Sequence, residues 1–214
     1  MIFPIMLENL KETNVIVVGG GQVASHKVRN LQRFGICPNV ISPTFHPSLL
    51  TLAEKGTVKL IQKEVEWEDV KDAFLTLLVT DNEEINDRLA LQLKEAGKLV
   101  VHASNPSLGC AQIPAVTRRG KLVISVSTSG ASPSLAKKIR SEIAEQYDER
   151  YEEYVDFLAD VRCYIKKHIM ERTERRAWLK EVIEPIYLHD NEERQAFLNE
   201  LQRAFPSELK QPSR

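Results

Sequence analysis

One element constrains this chain more than any other: a glycine turn set directly between an apolar strand and a helix. Asn14-Val15-Ile16-Val17-Val18-Gly19 is a short β-branched run that ends in glycine, the pattern of a strand buried on both faces of a parallel sheet. From Gln22 to Phe34, Val23, Val28, Leu31 and Phe34 fall near helical spacing, and Gly35 stops the pattern. Between the two, Gly19-Gly20-Gly21-Gln22-Val23-Ala24 fits G-x-G-x-x-A. In this setting Gly19 permits the tight turn, Gly21 lets backbone approach a pyrophosphate, and Ala24 lets helix and strand pack closely. The phosphates are then expected on the helix N-terminus. A nucleotide-free sheet can use the same string, so the strand–turn–helix context carries the reading.

The pattern continues as alternating strands and helices. Val40-Ile41 reads as a second strand closed by Ser42-Pro43, His46 to Glu54 as a helix, and Thr57 to Ile61 as a third strand. Ala73 to Val79 is the most apolar strand and runs into Thr80-Asp81-Asn82; Glu83 to Ala96 is a helix with acids in its first turn, and Lys98 to Ala103 is a further strand. Such alternation implies right-handed crossovers and an α/β fold with a Rossmann-like parallel sheet over residues 1–112. A ribose-binding Asp or Glu is usual about 20 residues past the glycine turn. Ser42-Pro43-Thr44 stands there instead, with no Arg for a 2′-phosphate, so NAD is the expected cofactor.

Past Pro106 the pattern changes. Gln112 to Val116 and Lys121 to Ser127 read as strands around Arg118-Arg119-Gly120, followed by a polar turn. Ser132 then caps a helix with Pro133 in its first position. Helices are expected over Tyr147–His168, Ala177–Tyr187 and Asn191–Phe205, with Gln211 to Arg214 as a frayed tail. The expected divisions are 1–112, a small central α/β region at 113–146, and a helical region at 147–214.

Charge separates these parts although the whole chain sums to −1. Residues 111–140 carry Arg118, Arg119, Lys121, Lys137, Lys138 and Arg140 with no Asp or Glu, a patch suited to a small polyanion. A solvated face paired with the acidic residues after position 140 is the plainer alternative. A near-zero total argues against a nucleic-acid binder, and no apolar run reaches the roughly 18 residues of a membrane span. The opening residues lack the features of a signal peptide. Cys37, Cys110 and Cys163 are too scattered for a disulfide framework or a thiolate metal site. A cytoplasmic protein with no metal site of its own is expected. H-E-x-x-H, the Walker A lysine and G-x-S-x-G are all missing, which leaves zinc hydrolysis, phosphoryl transfer and serine hydrolysis unsupported.

Taken together, these motifs resemble the precorrin-2 dehydrogenase / sirohydrochlorin ferrochelatase family of siroheme synthesis. The resemblance covers roughly residues 3–145. It runs from Phe3-Pro4-Ile5-Met6-Leu7 through Val17 to Ala24, Lys27, and Val79-Thr80-Asp81-Asn82 with Asn86. Its most specific part is Ile113-Pro114-Ala115, Arg119-Gly120, Val126-Ser127-Thr128, and Gly130 with Ser132 to Ala136. The resemblance implies a homodimer that oxidises precorrin-2 to sirohydrochlorin with NAD, in some members also inserting ferrous iron. By position it implies that Gly19, Gly20, Gly21, Gln22 and Val23 hold the pyrophosphate. Ser42, Pro43 and Thr44 then line the adenosine end, and Thr80, Asp81 and Asn82 border the nicotinamide. Asn105, Arg118, Arg119, Thr128 and Lys137 are the residues expected toward the tetrapyrrole carboxylates.

One departure bears on the chemistry. Family members commonly carry an aspartate two residues before the proline that matches Pro106, assigned to acid/base work. Here that position is Ser104, within His102-Ala103-Ser104-Asn105-Pro106. His102 lies two residues away and, on a strand, faces the same side. Imidazole is suited to base work near neutral pH, so His102 is the expected partial substitute, with Ser104 orienting substrate. The alternative is that His102 only packs and the cofactor carries the chemistry. Stripping pyrrole protons for metal insertion needs a base more than hydride loss does, so dehydrogenation is the expected activity. The rivals are a bifunctional enzyme that also chelates iron and a non-catalytic NAD-sensing module.

Overall fold

A computed structural model describes residues 2–206; the expected tail at Gln211 to Arg214 lies outside the described residues. The chain divides into two compact units, Met1–Ile113 and Pro114–Arg214.

In the first unit five strands form one parallel sheet: β1 (Val15–Val18), β2 (Asn39–Ser42), β3 (Lys59–Gln62), β4 (Leu75–Leu78) and β5 (Leu99–His102), in the order β3-β2-β1-β4-β5. Strand residues alternate between the faces. Val15 and Val17 pack with Ala24, Val28 and Leu31 of α1 (Gln22–Gln32) and Leu49 of α2 (Pro47–Glu54). Ile16 and Val18 pack with Val70 of α3 (Trp67–Val70) and with Leu89, Ala90 and Leu93 of α4 (Glu83–Glu95). The chain builds outward from β1 to β3, then returns to add β4 and β5 on the other side. That reversal opens a crevice beyond the carboxyl ends of β1 and β4, where this class of sheet binds its ligands.

The second unit starts with a two-stranded antiparallel ribbon, β6 (Ala115–Arg119) and β7 (Leu122–Val126). The sequence reading placed Arg118 and Arg119 in the turn. Arg119 instead pairs with Leu122, so the strand runs through both arginines and only Gly120 and Lys121 form the loop. Gly120, at φ +52°, supplies the turn that makes so short a loop possible. On α5 (Pro133–Gln146), Ser132 accepts a hydrogen bond from Leu135 N at 3.2 Å, the cap its sequence anticipates. Helices α6 (Arg150–His168), α7 (Arg172–Glu181), α8 (Ile186–His189) and α9 (Asn191–Ala204) enclose an apolar core of Tyr154, Phe157, Val161, Ile165, Ile169, Val182, Phe197 and Leu201. The helix expected over 177–187 is divided between α7 and α8, because Pro185 has no N–H for an interior turn. None of the described helices is long and apolar enough to cross a membrane.

Candidate active site

The glycine turn is fastened to the loop after β2. Gly19 N donates to Ile41 O at 2.9 Å and His46 N to Gly20 O at 2.8 Å. Gly19 has φ +119°, and a Cβ there would lie 2.8 Å from Val79 O, so the first glycine is required by both conformation and space. A Cβ on Gly20 would fall on the Thr44 carbonyl oxygen and 2.8 Å from Ser42 Oγ. Gly21 differs. A Cβ there meets nothing within 4 Å, and Gly21 is the N-cap of α1 with no side chain bonded to the helix end. The first turn of α1 also carries no acid. An uncapped helix N-terminus facing open space leaves backbone N–H groups without side-chain acceptors, an arrangement suited to anions.

Around it lies a cavity of about 600 Å³ lined by residues 18–23, 41–46, 64–65, 79–82 and Ile85. The three stretches expected to hold the dinucleotide, 19–23, 42–44 and 80–82, thus share one concave surface. Phe45, His46, Glu64, Val65, Val79 and Ile85 also line it and were not foreseen as ligand contacts. Glu64 was nonetheless accessible to sequence reasoning, since it lies just past the carboxyl end of the third strand.

The 80–82 loop is fastened to α4 by hydrogen bonds. Asn86, 1% exposed on α4, donates from Nδ2 to Thr80 O at 2.8 Å. Thr80 Oγ1 donates back to Asn86 Oδ1 at 2.8 Å. Asn82 Oδ1 accepts from Ile85 N at 3.1 Å, capping α4. The Asn82 side chain is therefore a cap, and its contribution to the cavity comes from the loop geometry it fixes. Asn86→Leu would remove the side-chain donor to the Thr80 carbonyl, while the Thr80 hydroxyl keeps its bonds to Asn82. The substitution is expected to cost about 2 kcal/mol in chemical denaturation and to weaken dinucleotide binding several-fold.

His102 sits at the end of β5, with its side chain fully enclosed. Asn105 N donates to His102 Nδ1 at 2.9 Å, which leaves Nε2 to donate to Asp87 Oδ1, also at 2.9 Å. Neither nitrogen is open to a substrate, and Nδ1 can take a proton only by giving up Asn105. Ser104 and Asn105 are exposed on the following loop, where Asn105 Oδ1 accepts from Ser107 Oγ at 2.6 Å.

The residues expected toward the tetrapyrrole carboxylates, Asn105 apart, belong to the second unit. Arg119 Nη2 donates to Ala144 O at 3.2 Å near the carboxyl end of α5 and lies 3.7 Å from Glu149. This capping engages much of its donor set. Arg118 Nε donates to Gly120 O at 2.9 Å across the hairpin loop. Thr128 Oγ1 bonds both the N–H and the carbonyl of Ser132, closing the turn ahead of α5. Lys121 pairs with Asp156 at 2.8 Å, and this hydrogen-bonded carboxylate raises the lysine pKa. Lys137 is exposed on α5. Part of the basic stretch is thus answered by acids beyond residue 140, in line with the plainer reading of its charge.

The sheet order, the glycine turn and the open helix end are those of a dinucleotide-binding domain of the doubly wound class. Residues 6–115 match the family described as putative NAD(P)-binding, 119–146 the central domain of sirohaem biosynthesis proteins, and 151–197 the SirC C-terminal domain. The precorrin-2 dehydrogenase of Priestia megaterium is 31% identical over 202 residues, 94% of this chain and 99% of that protein. That of Bacillus subtilis is 33% identical over 72% of this chain and 90% of its own length. The solved structure of SirC, precorrin-2 dehydrogenase, superposes with a TM-score of 0.79 at 30% identity, covering 94% of this chain and all of that one. The siroheme synthase of Nitrosococcus oceani is 30% identical, but the chain spans only 38% of its length. The chain belongs to the precorrin-2 dehydrogenase family, an oxidoreductase family of siroheme biosynthesis.

Proposed function

We propose that this protein oxidises precorrin-2 to sirohydrochlorin, with NAD as the acceptor. The observation that carries the reading is the uncapped α1 N-terminus, with open space at Gly21, set in the crevice between β1 and β4. When bound, the dinucleotide supplies the hydride-accepting ring. Backbone N–H groups at the start of α1 hold the pyrophosphate, the loop 42–44 carries the adenosine end, and the bonded loop 80–82 borders the nicotinamide. Two electrons leave the tetrapyrrole as a hydride, and a proton is released toward water. Ser104 and Asn105 present polar groups to the substrate from their exposed loop, while His102 acts as a positioning residue that holds this loop on α4. Arg118 and Lys137 are assigned to substrate carboxylates, with Arg119 and Thr128 holding α5 and the turn before it, and the divisions 1–112, 113–146 and 147–214 are assigned to cofactor binding, dimerisation and the helical region. A cytoplasmic homodimer completes the reading.

NAD is preferred over NADP because no Lys or Arg lines the cavity, whereas Glu64 and Asp81 do. The test is anaerobic mixing of purified protein with precorrin-2 and NAD. NADH and sirohydrochlorin are expected to rise together, one for one. Tight NAD binding with no change in either spectrum would instead make the protein a sensor. Adding ferrous ion to sirohydrochlorin separates a pure dehydrogenase from a bifunctional enzyme.

A further inference from the structure

We propose that Glu64 is the residue that selects the dinucleotide lacking a 2′-phosphate, taking over the carboxylate role that the end of β2 lacks. The proposal rests on the reading of the first unit as a nicotinamide-dinucleotide site. At the end of β2 the pairing is Ser42 with Gln62. The chains stay tied beyond the strands: Lys63 N donates to Ser42 O at 3.2 Å and Gln62 Nε2 to Pro43 O at 3.1 Å. Thr44 and Glu64 each follow these paired strand ends by two residues, and both line the cavity.

Glu64 also stands on a fixed mount. Val65, the next residue, is buried against the sheet. Glu66 and Asp69 then form a reciprocal capping box at the start of α3, with Glu66 N donating to Asp69 Oδ2 at 2.8 Å. The neighbouring cation, Lys63, is drawn into the same cluster, 3.0 Å from Asp69 and 3.3 Å from Glu66. Its charge is thereby committed away from a ligand phosphate. The other carboxylate of the cavity, Asp81, follows β4 on the far side of β1. His46 is the cavity's one imidazole, and its Nδ1 already accepts from Ser48 N at 3.3 Å and bonds Ser48 Oγ at 2.8 Å.

A carboxylate lining the same cavity as Thr44 accepts from ribose or adenine donors and repels a dianionic 2′-phosphate, selectivity by attraction and repulsion together. Calorimetric titration of the purified protein with NAD and with NADP tests this without any turnover. The unaltered protein is expected to favour NAD by about tenfold or more, in keeping with one like-charge contact in a partly dehydrated cleft. Glu64→Gln should narrow that ratio at least threefold, and Glu64→Lys should bring NADP level with NAD or ahead of it. Both variants keep the melting temperature, because the side chain is exposed. An NAD-to-NADP affinity ratio unchanged within a factor of two in both variants would overturn the proposal while NAD binding itself stands. If neither dinucleotide binds the unaltered protein, the underlying site is overturned, and the proposal with it.

Discussion

Gly20→Ala is expected to lower the melting temperature of the first unit by about 10 °C and to abolish measurable NAD binding, whereas Gly21→Ala leaves melting unchanged and weakens NAD about tenfold. The contrast follows from what each added methyl meets. At residue 20 it lands on the Thr44 carbonyl, a backbone atom of a loop tied by several hydrogen bonds. That loop is held by Gly19 N to Ile41 O, His46 N to Gly20 O and Lys63 N to Ser42 O. Overpacking against fixed backbone costs about 3 kcal/mol, and for a domain of this size each kcal/mol is worth about 4 °C. At residue 21 the methyl meets no protein atom within 4 Å, and its φ of −79° suits any residue. The only body it can obstruct is a ligand phosphate drawn against the helix end, where a tenfold loss corresponds to about 1.4 kcal/mol. Thermal melting and calorimetric titration of the two variants give the answer. NAD binding by Gly21→Ala at full strength would mean that phosphate does not approach this turn.

The glycine turn was legible because its requirements are local: a backbone region open to glycine, a close approach and a helix start, all within a few residues. Even so, the sequence pattern placed the close approach at Gly21 alone. The steric clash at Gly20 depends on Thr44, which arrives only when β2 pairs with β1. The parallel sheet followed from strong apolar runs, while α3 passed unseen because four residues show no helical period. Glu64 escaped for a related reason. A ribose carboxylate was sought at the end of β2, whereas this one comes from the neighbouring strand and joins the site through the β2–β3 register. The enclosure of His102 was equally hidden. Asp87 on α4 and the N–H of Asn105 are its partners, and strand alternation says nothing about either.

His102→Ala is expected to reduce turnover about a hundredfold and destabilise the first unit by about 3 kcal/mol. The loss should fall on kcat, with little change in the KM for NAD. The stability cost has two sources. A fully enclosed ring is deleted, and the Asn105 N–H and the Asp87 carboxylate each lose a partner. The catalytic cost follows from the same two bonds, because Nδ1 holds the first turn of the loop that carries Ser104 and Asn105, and Asp87, 45% exposed, anchors the ring from α4. Releasing that loop misplaces groups toward substrate, and misplacement of about 1 Å can cost on the order of a hundredfold. The pH profile separates positioning from base catalysis. If His102 only positions, the residual activity of the variant keeps the shape of the original profile, and Asp87→Asn, which retains an acceptor for Nε2, retains most of the turnover. If His102 is the base, the limb that reports its titration disappears from kcat/KM of His102→Ala. Ser104→Asp tests the same assignment from the other side. It places a carboxylate at the exposed position to which the family resemblance gives acid/base work, and with His102 intact turnover is expected to rise about tenfold. No gain in Ser104→Asp, together with a lost pH limb in His102→Ala, would transfer the proton chemistry to the imidazole and overturn its assignment as a positioning residue.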